Sequence, residues 1–119
     1  MAICKVIIDY KFESLNNYIN QCRTNYYVAN KTKQKETMLS AMMFTKIPKI
    51  TKYPIELTFK WHMKSKVADL DGRFAKNIID GLVKSKRIPD DNVKYINRIV
   101  HEYVGDTKDY VEVEIKEMI

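Results

Sequence analysis

Acidic side chains with metal-binding chemistry cluster in the second half of the chain. Asp69 and Asp71 stand two residues apart beside Gly72, and the pair Asp90-Asp91 follows after a helical segment. Neighbouring carboxylates repel one another unless a cation lies between them, so such a cluster indicates a bound divalent ion. Magnesium is typically held by a few carboxylates together with water and substrate phosphate. We therefore expect Asp69, Asp71 and Asp91 to bind Mg²⁺, with Mn²⁺ as an alternative ion.

A lysine on the following helix completes a set of residues suited to phosphodiester hydrolysis. That reaction needs a metal ion on the scissile phosphate and an activated water molecule. A nearby ammonium, here Lys76, can stabilise the charge that develops on the phosphate or hold the attacking water. The plainer interpretation of Lys76 is a surface ion pair with Asp80, four residues later on the same helix.

Two other interpretations compete for the stretch DLDGRFAKNIID, residues 69–80. A calcium loop of the EF-hand type needs oxygen ligands at positions 1, 3 and 5, glycine at 6 and an acid at 12. Arg73 stands at the fifth position and Phe74 at the sixth, which disfavours this type of loop. Alternatively, Asp71 with Gly72 caps a helix that begins near Arg73. A cap explains one of the acids and leaves the others unexplained.

Charge is unevenly distributed along the 119 residues. Residues 1–66 carry 12 Lys and Arg against 4 Asp and Glu, whereas residues 67–119 carry 9 against 11. A basic half beside an acidic cluster suits a polyanion-binding surface around a cation site, although a merely solvated basic face has the same composition. The residues that we expect to contact the phosphates of a nucleic acid are Lys31, Lys33, Lys35, Lys60, Lys64, Lys66 and Arg73.

Length and composition are those of an ordinary globular protein. The chain has 45% hydrophobic and 30% charged residues, and its length fits one domain, residues 1–119. No apolar run approaches the roughly 18 residues of a membrane span, and the start MAICKVIIDYKF lacks the features of a signal peptide. We therefore expect a cytoplasmic protein that uses neither a membrane nor an organic cofactor. Cys4 and Cys22 lack CxxC spacing and are expected to be reduced thiols.

Hydrophobic periodicity predicts seven elements that position these residues. Strict alternation over residues 55–64 predicts a half-buried strand, on whose polar side His62 is expected at the surface or facing DNA. A turn between the last two strands predicts a hairpin. The order is β-α-α-β-α-β-β, an α+β domain with a small mixed or antiparallel sheet. The predicted strands are 2–10, 55–64, 93–104 and 110–118, and the predicted helices begin after Ser14, at Tyr27 and at Phe74.

The order and spacing of the motif residues resemble the RusA family of small phage and prophage Holliday junction resolvases. The family pattern is Asp-x-Asp-Asn, a lysine on the next helix, Asp-x-Leu further along it, and an Asp-Asp pair after the turn. The early segment SLNNYINQCRTNYYVANKTKQKE is also similar to the phage members, so the resemblance runs over nearly the whole chain. The matching residues are Asp69-Leu-Asp71, Lys76, Asp80-Gly-Leu82 and Asp90-Asp91.

The resemblance implies a fold, an activity and roles for these residues. It implies a homodimer that binds branched DNA, in particular four-way junctions, and cuts two strands symmetrically with Mg²⁺. Lys76 matches the essential lysine, Asp80 a recurrent helix acid that orients it, and Asp90 the first acid of the pair. The residues that match the metal-binding acids are Asp69, Asp71 and Asp91.

Two departures from the family pattern bear on activity. Gly72 stands where the family has Asn, and Lys76 lies five residues after Asp71 instead of four. One extra residue turns a helical position by about 100°, although the preserved spacing of Lys76, Asp80 and Leu82 favours absorption of that residue in the loop. Two alternatives therefore stay open: a module that binds branched DNA without cutting it, and a nuclease for flaps or replication forks.

Overall fold

The chain folds into a four-stranded mixed sheet and three helices, of which the second and third bury apolar side chains against one face of the sheet and the first packs on the second. The computed structural model describes residues 3–67 and 69–118, and it confirms the predicted α+β class and the order β-α-α-β-α-β-β. None of the helices in these ranges is long and apolar enough to cross a membrane. The elements are β1 (Ile3–Ile8), α1 (Leu15–Thr24), α2 (Tyr26–Phe44), β2 (Ile55–Met63), α3 (Lys76–Lys84), β3 (Ile96–Gly105) and β4 (Tyr110–Glu117).

The predicted hairpin between the last two strands is wrong. The strand order is β1-β4-β2-β3, so β2 lies between β3 and β4; it runs parallel to β3 and antiparallel to β4. The segment between β3 and β4 crosses the end of β2, where the Asp106 N–H donates to the carbonyl of Met63 at 3.1 Å. With a neighbour on each side, β2 satisfies the backbone groups along both of its edges.

The alternating pattern of β2 becomes the centre of the core. Its odd-numbered residues are buried against the helices, and its even-numbered residues are half-buried on the other face of the sheet. The same alternation recurs in β4, which pairs with β2 along nearly its whole length. The large, fully buried side chains of the core include Phe44, Ile55, Leu57, Phe59, Ile78, Leu82, Ile88, Val111, Val113 and Ile115.

Glu36 of α2 is the one fully buried carboxylate among the described residues, and it connects three segments. Its side chain is 0% exposed. It accepts hydrogen bonds from the backbone N–H of Glu13 at 3.0 Å and from Asn77 Nδ2 at 2.9 Å. Burial raises the pKa of Glu36 above its usual value, and the two hydrogen bonds oppose that shift. Because Asn77 directly follows Lys76, the contact also fixes the start of α3.

We expect Glu36→Gln to remove part of the pH dependence of stability. A raised pKa means that the folded protein holds the proton more tightly than the unfolded chain. The resulting stabilisation is fully present below the unfolded pKa, near 4.5, and is lost as the pH rises through the folded pKa. Glutamine stays neutral, and the Asn77 amide can turn to accept from it, so the variant should lack this decline.

Denaturant unfolding between about pH 4 and pH 8 measures the effect as the slope of the unfolding free energy against pH. Glu13→Gln is the matched control, because it neutralises a neighbouring carboxylate that is only half-buried. Equal slopes for wild type and Glu36→Gln would contradict the assigned direction of the shift.

Candidate active site

Two of the predicted metal ligands stand on the loop of residues 69–75, directly before α3. Leu70 packs on the core, which places Asp69 and Asp71 at the surface on either side of it. The backbone carbonyl of Asp69 accepts a hydrogen bond from Arg73 Nε at 3.3 Å. Within the described part of the chain, neither carboxylate makes a hydrogen bond or an ion pair. Both carboxylates are therefore free to bind a ligand.

Helix α1 holds this loop in place. Ser14 caps the helix as predicted, since its side chain accepts from the backbone N–H of Asn17. The next backbone N–H, that of Leu15, donates to the carbonyl of Gly72 at 2.9 Å. One turn further along α1, Tyr18 stacks on Phe74 with 5.0 Å between ring centroids. The position of the two acids is thus fixed from outside the loop.

The aspartates of the loop do not cap α3. The helix begins at Lys76, and Ala75 is its N-cap, with no side-chain hydrogen bond. The interpretation of Asp71 as a helix cap is therefore wrong, because it lies four residues before the cap position. Lys76 is the first residue of α3, so all the residues between Asp71 and Lys76 lie before the helix.

Lys76 connects the start of α3 with the second acidic pair. Its Nζ lies 2.8 Å from Asp80 Oδ1 and 3.6 Å from Asp91 Oδ2. The predicted surface pair with Asp80 is confirmed, and Asp91 approaches the same ammonium. The hydrogen bond to Asp80 is the main cause that raises the pKa of Lys76 above its usual value, and Asp91 contributes further. Lys76 is therefore a cation at neutral pH, suited to charge stabilisation and unsuited to act as a general base.

Asp90 shapes the loop that presents Asp91. One of its oxygens accepts from the backbone N–H of Asp91 at 2.8 Å, and the other accepts from Asn92 Nδ2 at 3.1 Å. The carboxylate of Asp90 is thus engaged within its own turn. That of Asp91 is left to face Lys76.

The structure gathers some of the predicted site residues and not others. Lys76, Asp80 and Asp91 meet at one place. Across residues 3–67 and 69–118, no three Asp, Glu, His or Cys side chains come close enough to hold a metal ion. Asp69, Asp71 and Asp91 are nevertheless exposed carboxylates, the oxygen donors that Mg²⁺ prefers. The donor set fits Mg²⁺ by its chemistry, while the structure does not show a formed coordination sphere.

The predicted basic residues divide into two groups. Lys60 is half-buried on the face of the sheet away from the helices, and its Nζ lies 3.1 Å from Glu114 and 3.7 Å from Glu112. We therefore do not assign Lys60 to a DNA-binding surface. Arg73 is half-buried and contacts Met63 Sδ at 3.7 Å. The exposed members of the set are Lys31, Lys33, Lys35, Lys64 and Lys66.

His62 is less accessible than its place on the polar side of β2 predicts. Its side chain is only 14% exposed, and its Nδ1 lies 2.9 Å from Asp106 Oδ2. The ring also stacks on Tyr110 with 4.1 Å between centroids. The expectation of a surface or DNA-facing histidine is therefore wrong. The His62–Asp106 pair forms because the connection between β3 and β4 crosses the end of β2. Hydrophobic periodicity does not predict that crossing.

The candidate site is an open surface. A cavity of about 460 Å³ lies beside the loop of residues 69–75 and is lined in part by Ser14, Trp61 and Arg73. None of Asp69, Asp71, Lys76 and Asp91 lines it. Small-molecule substrates are usually enclosed in such cavities. The four candidate side chains are exposed instead.

Comparisons with protein-family models and with curated proteins find no match for this chain. The resemblance to the RusA family therefore depends on the motif residues and their order.

Proposed function

We propose that the chain is a RusA-like, Mg²⁺-dependent endonuclease that acts as a homodimer and resolves four-way DNA junctions by paired, symmetric nicks. The observation that supports this most strongly is the contact of Lys76 Nζ with both Asp80 and Asp91. Asp91 lies beyond the end of α3 in the sequence, yet it returns to the first residue of that helix. Motif residues that are distant in the sequence therefore meet next to the loop that carries Asp69 and Asp71.

Each residue has a distinct role in this proposal. Lys76 stabilises the negative charge that develops on the scissile phosphate, and Asp80 holds its ammonium in position. Asp90 maintains the turn from which Asp91 projects. A bound Mg²⁺ or Mn²⁺ would supply Lewis-acid polarisation of the phosphate and a water of lowered pKa. Asp69, Asp71 and Asp91 are the candidate ligands; because they do not converge in the described residues, binding of the ion would have to draw them together.

The exposed lysines supply the binding surface in this proposal. Phosphate contacts by Lys and Arg release counterions, so affinity for DNA should fall steeply as salt is raised. The three lysines of α2 and the lysines that follow β2 are exposed, as such contacts require. Arg73 is the basic side chain nearest in sequence to the two loop acids.

We expect Lys33→Gln to weaken junction binding and Lys60→Gln to leave it nearly unchanged. Lys33 is exposed and has no acidic partner among the described residues, whereas Lys60 is paired with Glu112 and Glu114. Loss of one phosphate contact should lower the slope of log K against log salt by about 0.9. Fluorescence-anisotropy titrations at several salt concentrations measure the affinity for the junction and its dependence on salt. An equal loss in the two variants would contradict the separation of the basic residues into two groups.

Cleavage of synthetic four-way junctions tests the proposed function. Mobile and immobile junctions are incubated with Mg²⁺ or with EDTA, and a linear duplex of matching sequence is the substrate control. We expect metal-dependent nicks in two opposed strands that disappear in Asp71→Asn. Asp9→Asn is the matched control, because Asp9 is an exposed acid paired with Lys108 outside the candidate site. Loss of nicks in both variants would indicate a nonspecific charge effect.

A second candidate function is binding of branched DNA without cleavage. The glycine at position 72 and the dispersed acids favour it. Junction binding without nicks, in both Mg²⁺ and Mn²⁺, would support this alternative. The atoms nearest to a Cβ at position 72 would lie 3.6 Å and 3.7 Å away, which is ordinary contact distance, so the Cβ of Gly72→Asn fits. A gain of cleavage in Gly72→Asn would identify the missing amide as the cause.

A further inference from the structure

We propose that two copies of the chain join by antiparallel pairing of β3 with its counterpart, with Val100 on the two-fold axis. β3 is a 10-residue edge strand that pairs with β2 along one side only. Its unpaired edge presents a row of backbone N–H and C=O groups, which is a template for another strand. The inference rests on the proposed function in one respect: both assume a homodimer. It adds the surface through which the two copies join.

The side chains of β3 resemble an interface more than a protected edge. Ile99 is 46% exposed and Tyr103 is 41% exposed, although both point to the helix-bearing face of the sheet. Edge strands that stay unpaired are usually short or carry proline, a bulge or charged side chains. β3 is long and has no proline, and its register with β2 shifts only at its start; its two charges, Arg98 and Glu102, are of opposite sign. A second copy of the strand would cover these groups.

Charge on the opposite face of β3 selects the partner and the register. Arg98 and Glu102 stand four residues apart, with Val100 midway between them. The Arg98 side chain is 64% exposed and contacts only its own neighbour Glu56 at 3.0 Å among the described acids. Glu102 is exposed and stands beside Lys60 of β2, whose ammonium already pairs with Glu112 and Glu114. The strand therefore carries an acid without an ion pair of its own among the described residues and an accessible guanidinium at symmetric positions.

Antiparallel self-pairing about Val100 places each Arg98 directly opposite Glu102 of the partner subunit. The two opposite-charge pairs flank a contact between the two Val100 side chains on the same face. Directly opposed side chains of opposite charge stabilise antiparallel pairs, and a two-fold axis repeats each contact. A shift that centres the axis on His101 would place Glu102 opposite Val100 and leave the charges without direct partners. Charge complementarity therefore favours the register centred on Val100.

The other edge of the described sheet offers no such complementarity. β1 is shorter, with six residues, and its only charged residue is Lys5. Lys5 already contacts Glu114 of β4 at 3.4 Å. Pairing of β1 with its copy would form no opposite-charge contact across the axis. β3 is therefore the better-matched surface for a second copy.

The proposed pairing would separate the two candidate active sites. In an antiparallel pair centred on Val100, the two Ile96 residues lie eight positions apart along the joined strands, or about 27 Å. Each Asp91 lies just before the start of its own β3. The two sites would therefore lie towards opposite ends of one continuous eight-stranded sheet, as identical sites for two strands of a symmetric substrate require.

Charge reversal tests the interface without any DNA. Sedimentation equilibrium of the wild type should give twice the 14.1 kDa mass of the chain. Glu102→Arg and Arg98→Glu should each raise the dimer dissociation constant by about 10-fold or more, because two attractive pairs become repulsive. The double variant should recover most of the wild-type affinity. Circular dichroism of each variant confirms that the fold is retained.

Cross-linking tests the register. In a background of Cys4→Ser and Cys22→Ser, Val100→Cys should form a covalent dimer on mild oxidation, because the two thiols meet at the axis. Tyr103→Cys is the matched control on the same exposed strand, with its two thiols about 20 Å apart. Cross-linking of His101→Cys in place of Val100→Cys would overturn the proposed register.

The results that would overturn the interface are a wild type that stays monomeric at high concentration, or a dimer that neither charge reversal weakens. Either result would leave the proposed nuclease function to be judged by junction cleavage. Conversely, if the β3 interface is confirmed but the protein does not cut junctions, the interface stands and the proposed nuclease function fails.

Discussion

Gly81→Ala should destabilise the protein by about 3 kcal/mol, the upper end of what overpacking a well-packed core typically costs. Gly81 lies within α3 and is buried against α2. A Cβ at this position would lie 2.6 Å from Ser40 Cβ, 2.9 Å from the backbone nitrogen of Ala41 and 2.9 Å from the carbonyl oxygen of Thr37. Two of the three obstacles are backbone atoms, so α3 must move away from α2.

Urea denaturation measures the loss as a shift of the unfolding midpoint. Gly72→Ala is the matched control, because the nearest atoms to its new Cβ lie at ordinary contact distance. A loss of about 3 kcal/mol is a large part of the 5–15 kcal/mol that stabilises a typical domain. If Gly81→Ala unfolds at the same denaturant concentration as Gly72→Ala, the close packing of α2 on α3 is wrong.

Lys76→Met should lower the rate of junction cleavage by about 100-fold to 1000-fold while leaving junction binding nearly intact. The ammonium lies between Asp80 and Asp91, and its raised pKa keeps it charged at neutral pH. Removal of a single group that stabilises transition-state charge typically has an effect of this size. Methionine retains the unbranched side chain, so the packing at the start of α3 should be little changed.

Single-turnover cleavage at saturating protein separates the chemical step from DNA affinity. Lys84→Met is the matched control, because it removes an exposed lysine from the other end of the same helix. A loss of cleavage that only follows a loss of binding would place Lys76 in the DNA-binding surface and outside the catalytic chemistry.

Local patterns predicted the elements well and their pairing poorly. The element order could be predicted from alternation in residues 55–63 and from the helical period that begins at Phe74. Each of these patterns depends only on which face of its own strand or helix is buried. Pairing depends on the whole sheet. A tight turn next to Gly105 predicted a hairpin, but the connection instead crosses β2 and is held there by Met63 and His62.

Of the contacts at the candidate site, the sequence predicted one and missed the others. The sequence spacing of Lys76 and Asp80 predicts their pair on one helix face, and the structure confirms it. The return of Asp91 to Lys76 depends on the turn after α3, where Asp90 and Asn92 bond to one another. Periodicity also gave no signal for Glu36, a charged residue whose burial depends on donors from two other segments.

Cleavage of a supercoiled plasmid that extrudes a cruciform tests the proposed function most directly. A dimeric resolvase cuts two opposed strands of one junction, so we predict linear plasmid that forms with Mg²⁺, is absent with EDTA, and is lost in Asp71→Asn. If the plasmid instead accumulates as nicked circles, only one strand of each junction is cut, which would contradict paired cutting. Faster cutting of synthetic flaps or forks than of the cruciform would assign the nuclease to those structures. An uncut plasmid that the protein nevertheless binds would contradict the nuclease itself.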